Sequence, residues 1–105
     1  MSFVVMNAVA VSSTTTYNSL PITSCTATII SAQCVWTGTP TGTLFLQVSN
    51  DGTTWSTTAE VFGANPAGGA SNTAETWFGN GYKYARISYT NASGSGNLTV
   101  KVFLK

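Results

Sequence analysis

A chain of 105 residues forms one domain, long enough to bury a single hydrophobic core and too short to divide into two. Hydrophobic residues make up 43% of the chain and charged residues only 7%, well below the roughly 25% that is usual for soluble domains. The net charge of +1 provides no basic surface, so we expect neither nucleic-acid binding nor membrane insertion. A surface with so few charges favours an assembly component that neighbouring subunits cover.

Alternating apolar residues rich in Val, Thr, Phe, Tyr and Trp predict strands, and no stretch of ten or more residues repeats at helical spacing. Residues 1–105 are therefore predicted to form a single all-β domain. We expect an antiparallel β-sandwich or jelly-roll-like fold of about seven or eight short strands. In chain order, the predicted strands cover residues 3–11, 25–36, 43–49, 57–62, 75–78, 82–90 and 98–104.

Residues that favour turns separate these strands. The run Asn50-Asp51-Gly52 predicts a chain reversal after the third strand, and the glycine-rich residues 94–97 predict a hairpin between the last two strands. Residues 63–73 have no periodicity and no bulky anchor. This segment is predicted to be an exposed, mobile loop.

Alternation gives each strand an inward and an outward face. The side chains expected in the core are Leu44, Leu46, Val48, Ala85, Ile87, Tyr89, Leu98, Val100, Val102 and Leu104. The outward residues that we select as a candidate interface are Phe45, Tyr82, Tyr84, Arg86 and Phe103. An outward face with so many aromatic side chains is more apolar than a solvated sheet requires, which favours contact with another subunit.

The sequence contains no set of residues that predicts catalysis. Histidine is absent, which removes the commonest general base and the commonest metal ligand. The three carboxylates, Asp51, Glu60 and Glu75, have no spacing that places two of them on one strand face, as paired-carboxylate hydrolysis would need. Asp51 alone supplies few of the oxygens that calcium requires. We therefore expect no enzyme activity, no cofactor and no metal site.

The cysteines and the N-terminal segment indicate where the chain resides. Cys25 and Cys34 match neither a metal-binding spacing nor a dense disulfide framework, and reduced, buried thiols are favoured over a disulfide. The N-terminal segment lacks the basic region of a signal peptide, and its apolar run, residues 3–11, is too short to span a bilayer. We expect a protein made in a cytoplasm without a signal peptide.

The tryptophans allow two interpretations. Trp55 and Trp77 could form a flat platform that stacks on a sugar ring. In the favoured interpretation Trp36 ends a strand in the core, Trp55 closes one end of the sandwich and Trp77 packs beneath the loop of residues 63–73. This favoured interpretation gives all three tryptophans a packing role.

Three stretches resemble a group of small β-sandwich proteins encoded by bacteriophages. They are WTGTPTG at 36–42, VSNDG at 48–52 and RISYTNASGSGNLTVKVFLK at 86–105. The resemblance covers residues 35–105 and implies a virion structural protein, such as a capsid decoration protein or a tail- or fibre-associated component. It implies no catalytic residue. The partners it implies are other virion proteins and further copies of the chain, with a trimer favoured, and the implied location is the virion.

A more local similarity, in SNDGTTW and YKYARI, is to discoidin-like carbohydrate-binding domains and implies a host glycan as a ligand. The leading hypothesis is therefore a bacteriophage virion protein that acts through protein–protein assembly. The alternative is a carbohydrate-binding module for host-surface attachment. A small phage-encoded regulator or inhibitor is a third hypothesis, whose partner the sequence does not indicate.

Overall fold

The computed structural model describes residues 2–23, 29–61, 66–69, 71–78 and 82–105. These residues form nine strands: β1 (Ser2–Val11), β2 (Thr16–Asn18), β3 (Ile22–Thr23), β4 (Ile29–Gly38), β5 (Thr41–Ser49), β6 (Ser56–Val61), β7 (Ser71–Phe78), β8 (Tyr84–Ser93) and β9 (Gly96–Leu104). Within these ranges there is no helix with the length and hydropathy needed to span a membrane. The all-β prediction is confirmed.

The strands form two antiparallel sheets. One sheet has four strands in the order β1-β9-β4-β7, and the other has five, in the order β2-β8-β5-β6 with β3 beside β8. Because β2 and β3 pair with successive parts of β8, they share one strand position. Counted in this way the topology is that of an eight-stranded jelly roll, as the sequence predicts. Most connections therefore cross from one sheet to the other.

The core lies between the sheets, and β4, β5, β8 and β9 contribute alternate side chains to it. The predicted core residues of β5 and β8 are all buried: Leu44, Leu46, Val48, Ala85, Ile87 and Tyr89. In β9 the first three, Leu98, Val100 and Val102, are buried, and Leu104 is partly buried at the end of the strand. Each large aliphatic side chain buried in this way contributes about 1.5–3 kcal/mol.

A polar network is buried where β8 ends. The Tyr89 hydroxyl donates to Asn91 Oδ1 at 2.9 Å, and Asn91 Nδ2 donates to the carbonyl oxygens of Ser13 (2.9 Å) and Gly94 (3.0 Å). Asn91 is fully buried, so these bonds replace the water that its amide has lost. Burial, with smaller effects from Cys34 and Tyr17, raises the pKa of Tyr89 to about 12. Its hydroxyl therefore keeps the proton that it donates.

Cys34 is a free thiol in the core, and burial raises its pKa to about 12. The prediction of a reduced, buried thiol is confirmed for this residue. Cys25 lies outside the described residues.

The predicted hairpin at residues 94–97 is wrong. β8 pairs with β5 and β9 pairs with β4, so the link between them is a corner that joins the two sheets. This corner packs on the corner between β4 and β5, where the Thr39 N–H donates to the Ser95 carbonyl oxygen at 2.9 Å. A Cβ at Gly94, whose φ is +73°, would overlap the carbonyl oxygen of Thr39. Two glycine-rich runs that resemble separate turns thus form one backbone contact.

The prediction of an exposed, mobile loop at residues 63–73 holds only in part: Ala67 and Gly69 are exposed, and the mobility stays a prediction. Pro66 is buried, and its carbonyl oxygen accepts a hydrogen bond from the Gly42 N–H at 3.1 Å. Strand β7 begins at Ser71, four residues before the predicted strand. Residues 63–65 and 70 lie outside the described residues.

Candidate functional site

The five candidate interface residues do not share one face. Phe45, Tyr84 and Arg86 alternate with buried residues of β5 and β8, so they lie on the outer side of the five-stranded sheet, which we call the five-strand face. Phe103 lies on the outer side of the four-stranded sheet, the four-strand face. Tyr82 precedes β8 and is exposed. The prediction of a single aromatic face is wrong because alternation separates inward from outward but does not assign a strand to a sheet.

Asp51 organises the loop between β5 and β6. Its Oδ1 accepts hydrogen bonds from the Thr54 N–H (2.8 Å), the Thr53 N–H (2.9 Å) and the Ser49 hydroxyl (2.8 Å). These bonds hold the pKa of the Asp51 carboxyl well below its usual range. At the next position Gly52 adopts a φ of +78°. The predicted chain reversal is confirmed, because β5 and β6 pair antiparallel on either side of it.

This loop brings Trp55 over the five-strand face. The Arg86 guanidinium carbon lies 4.3 Å from the centroid of the Trp55 ring, and both side chains are half-buried. The prediction that Trp55 closes one end of the sandwich is therefore wrong, because the loop places the ring against an outward residue of β8. Trp36, by contrast, is buried in the core as predicted.

A row of hydrogen bonds across three strands fixes the Arg86 side chain. Arg86 in β8 pairs with Gln47 in β5, and Gln47 pairs with Thr57 in β6. Arg86 Nε donates to Gln47 Oε1 at 2.8 Å, and Gln47 Nε2 donates to Thr57 Oγ1 at 2.9 Å. We call Trp55, Arg86, Gln47 and Thr57 the arginine site. Burial lowers the pKa of Arg86 from its ordinary value.

Tyr84 and Lys83 border the arginine site. Lys83 Nζ lies 5.3 Å from the centroid of the Tyr84 ring. The Lys83 N–H donates to Asn50 Oδ1 at 3.1 Å, which ties the loop between β5 and β6 to the start of β8. Two cations, Lys83 and Arg86, therefore lie beside two aromatic rings at this end of the five-strand face.

The four-strand face carries three exposed apolar side chains among polar ones. Val4, Val35 and Phe103 have exposed fractions of 50%, 39% and 43%. Phe103 borders a shallow depression of about 360 Å³. The outward residues that also line it are Ser31, Gln33, Ala74, Thr76 and Lys101. Among these lining residues Lys101 alone carries a charge, so this face combines exposed apolar area with little charge.

The structure tests the two-tryptophan platform only in part. Trp55 meets Arg86 as described, whereas Trp77 lies in β7 opposite Ile30 and its side chain is outside the described residues. The pairing of Trp55 with Trp77 stays a prediction. Within the described part of the chain, no group of three or more His, Cys, Asp or Glu residues could hold a metal ion.

Gln47 and Thr57 are two residues of the arginine site that the sequence does not predict. Alternation does place Gln47 outward beside Phe45. Its contact with Arg86 depends on the register between β5 and β8, which joins residues 39 positions apart. The available signal was an amide side chain that alternation turns outward, two residues after Phe45.

The fold and its two outer faces define the class of protein, a jelly-roll β-sandwich in which one outer face exposes Val4, Val35 and Phe103 and the other holds a fixed guanidinium. Residues 2–100 match the family model described as "Uncharacterised protein YqxG N-terminal domain". The chain therefore belongs to the YqxG N-terminal domain family. No curated protein matches the chain.

Solved structures share this fold. The PBSX exported protein XepA aligns with 99% of this chain at a TM-score of 0.71 and 20% identity, and the chain spans 36% of that structure. A structure of CBM4, a carbohydrate-binding module, aligns with 86% of the chain at a TM-score of 0.56 and 13% identity, over 61% of its own length. The enzymatically active domain of tailspike protein 4 of bacteriophage CBA120 aligns with 91% of the chain at a TM-score of 0.55 and 18% identity, over 15% of its own length. These similarities establish the fold alone.

Proposed function

We propose that this chain is a structural component of a bacteriophage virion, either a capsid decoration protein or a tail- or fibre-associated protein. It acts without catalysis, by assembling with further copies of itself, with a trimer favoured, and with other virion proteins. The four-strand face is the observation that carries this proposal. The shared fold with a bacteriophage tailspike domain supports it by analogy.

The four-strand face has the physical properties of an assembly surface. Val4, Val35 and Phe103 remain exposed although they lie on a regular sheet, and burying such apolar area against a partner gains about 25 cal/mol per Å². The depression beside Phe103 gives a partner side chain a place to insert. Among the residues that line the depression Lys101 alone is charged, so a docking partner removes little charge from water.

A charge placed at Phe103 on this face tests assembly. In the variant Phe103→Asp a carboxylate replaces an exposed aromatic side chain, so folding is expected to survive while association is lost. The matched control is Thr37→Asp, which adds the same charge at an exposed position nearer the other end of the same sheet face. Light scattering after size-exclusion chromatography should show an oligomer for the wild type and the control, and a monomer for Phe103→Asp. A monomeric wild type would contradict the proposal.

Location on a particle needs a separate measurement. Peptide mass spectrometry across a density gradient of virions from the source culture should detect the chain in the particle fractions, in many copies for each particle. Detection only in the particle-free fractions would overturn the virion assignment, whatever the oligomeric state of the isolated protein.

The second candidate function is carbohydrate binding for host-surface attachment. It is favoured by Trp55, whose half-buried ring lies against a fixed arginine, and by the fold shared with a carbohydrate-binding module. A glycan array with the wild type and Trp55→Ala tests it. Saccharide binding that the substitution abolishes would support recognition, and no binding by either protein would reject this candidate.

A further inference from the structure

The arginine site is built like a receptor for an anion. Trp55 covers one side of the Arg86 guanidinium, and Nε is occupied by Gln47. These two contacts do not involve hydrogen bonds from the two Nη groups, which carry four of the five N–H donors of the side chain. No described residue accepts a hydrogen bond from them. The fork of donors that recognises carboxylates and phosphates is thus held in place without an acidic partner among the described side chains.

The described partners of the two cations on this face are uncharged. Arg86 interacts with Trp55 and Gln47, and Lys83 interacts with Tyr84 and, through its backbone, with Asn50. Asp51 is the one acidic residue whose side chain the structure describes, and its Oδ1 is taken up by donors of its own loop. The positive charge of Arg86 and Lys83 is therefore not neutralised by the described side chains.

We infer that the arginine site binds the acidic group of an anionic saccharide, a carboxylate or a phosphate, through the Nη donors of Arg86. Lys83 supplies a second positive charge, and the rings of Trp55 and Tyr84 provide apolar surface for the sugar. This inference rests on the carbohydrate-binding candidate and specifies its ligand class. Two cations suit a polymer with one charge in each repeat, whereas a nucleic-acid strand needs a longer basic groove.

The substitution Gln47→Glu tests the inference with little change in shape. A carboxylate at this position still accepts the hydrogen bond from Arg86 Nε, and it neutralises the guanidinium. The matched control is Asn97→Asp, which also turns an amide into a carboxylate, at an exposed position of the four-strand face that pairs with Thr37, away from the depression beside Phe103. Calorimetric titration would compare a neutral oligosaccharide, an oligouronate and a phosphorylated oligosaccharide.

The wild type and Asn97→Asp should bind at least one anionic oligomer about tenfold more tightly than the neutral one, and this preference should weaken as salt rises. In Gln47→Glu the preference should be lost. The two anionic oligomers distinguish carboxylate from phosphate as the recognised group. A second variant, Arg86→Lys, keeps the charge but removes the fork, and it should bind the anionic oligomer about tenfold more weakly than the wild type.

The outcomes separate this inference from the candidate function on which it rests. Equal binding of neutral and anionic oligomers, unchanged in Gln47→Glu, would overturn the inference and leave carbohydrate binding intact. Failure of every saccharide to bind would overturn both. Undiminished binding by Arg86→Lys would contradict the role of the guanidinium fork.

Discussion

The two outer faces of the sandwich differ although the same alternating pattern produces both. On the five-strand face, the outward side chains of β5, β6 and β8 form a connected row in which Gln47 links Arg86 to Thr57. On the four-strand face, the outward side chains include Val4, Val35 and Phe103, whose exposed fractions are 39% or more. The first face fixes directional donors and the second offers apolar area.

This difference teaches that an outward position acquires a function from its neighbours across the sheet. Arg86 in isolation is a mobile surface cation, and Trp55 and Gln47 convert it into an oriented donor. Phe103 has small and polar neighbours such as Ser31 and Ala74, so its ring stays available to a partner. Our two proposals therefore concern different faces, ligand recognition on the five-strand face and assembly on the four-strand face.

The largest expected effect concerns the corner between β8 and β9, which joins the two sheets. In Gly94→Ala the new Cβ meets the Thr39 carbonyl oxygen at a φ of +73°, so the free energy of unfolding should fall by about 2–4 kcal/mol. Both faces depend on this corner, so assembly and ligand binding should decline together. Chemical denaturation followed by tryptophan fluorescence measures the loss.

Gly68→Ala is the matched control for Gly94→Ala. Gly68 has a φ of +75° and nothing within 4 Å of an added Cβ, so its cost of about 1 kcal/mol comes from backbone conformation alone. Equal losses in the two variants would show that the contact between the two corners contributes nothing.

A smaller effect tests the coupling within the five-strand face. A double-mutant cycle of Trp55→Ala and Arg86→Ala should give a coupling free energy of about 0.5–1 kcal/mol, the range for a partly exposed cation–π contact. Trp55→Ala combined with Phe103→Ala pairs residues from opposite faces and should be additive. A coupling near zero in the first cycle would mean that the stacked geometry does not hold in solution.

The smallest effect concerns the loop that positions Trp55. The hydrogen bonds to Asp51 lower its pKa in the folded protein, so ionised Asp51 stabilises the fold above its ordinary pKa of about 4, and this contribution is lost as the pH falls through the lowered pKa. The wild type should therefore melt at a higher temperature than Asp51→Asn at neutral pH, and the gap should narrow below about pH 4. Glu60 and Glu75 are present in both proteins, so their titration largely cancels. A gap that stays constant or widens in acid would contradict this account.

The core could be predicted from the sequence because its cause is local. Leu44, Leu46 and Val48 repeat every second residue, and a strand with one buried face requires that period. Strands β2 and β3 were not predicted, since three residues and two residues are too few to show an alternation. The corner at Gly94 was read as a hairpin because the same turn residues serve both connections.

The candidate site could be predicted only in its parts. Phe45, Tyr84 and Arg86 were recognised as outward residues, but the separation of Phe103 from them depends on which sheet β9 joins. The contact of Arg86 with Gln47 depends on pairing between distant strands, and its contact with Trp55 depends on the path of a loop. The spacing of residues along the chain does not determine such long-range contacts.

The assignment of assembly to one face and recognition to the other is tested most directly by native mass spectrometry of the protein mixed with an anionic oligosaccharide. One spectrum reports both the number of protein copies and the number of bound ligands. The wild type should be an oligomer with one ligand for each copy, Phe103→Asp a monomer that still binds one ligand, and Gln47→Glu an oligomer without ligand. Loss of ligand from Phe103→Asp, or dissociation of Gln47→Glu into monomers, would contradict the division of the two faces.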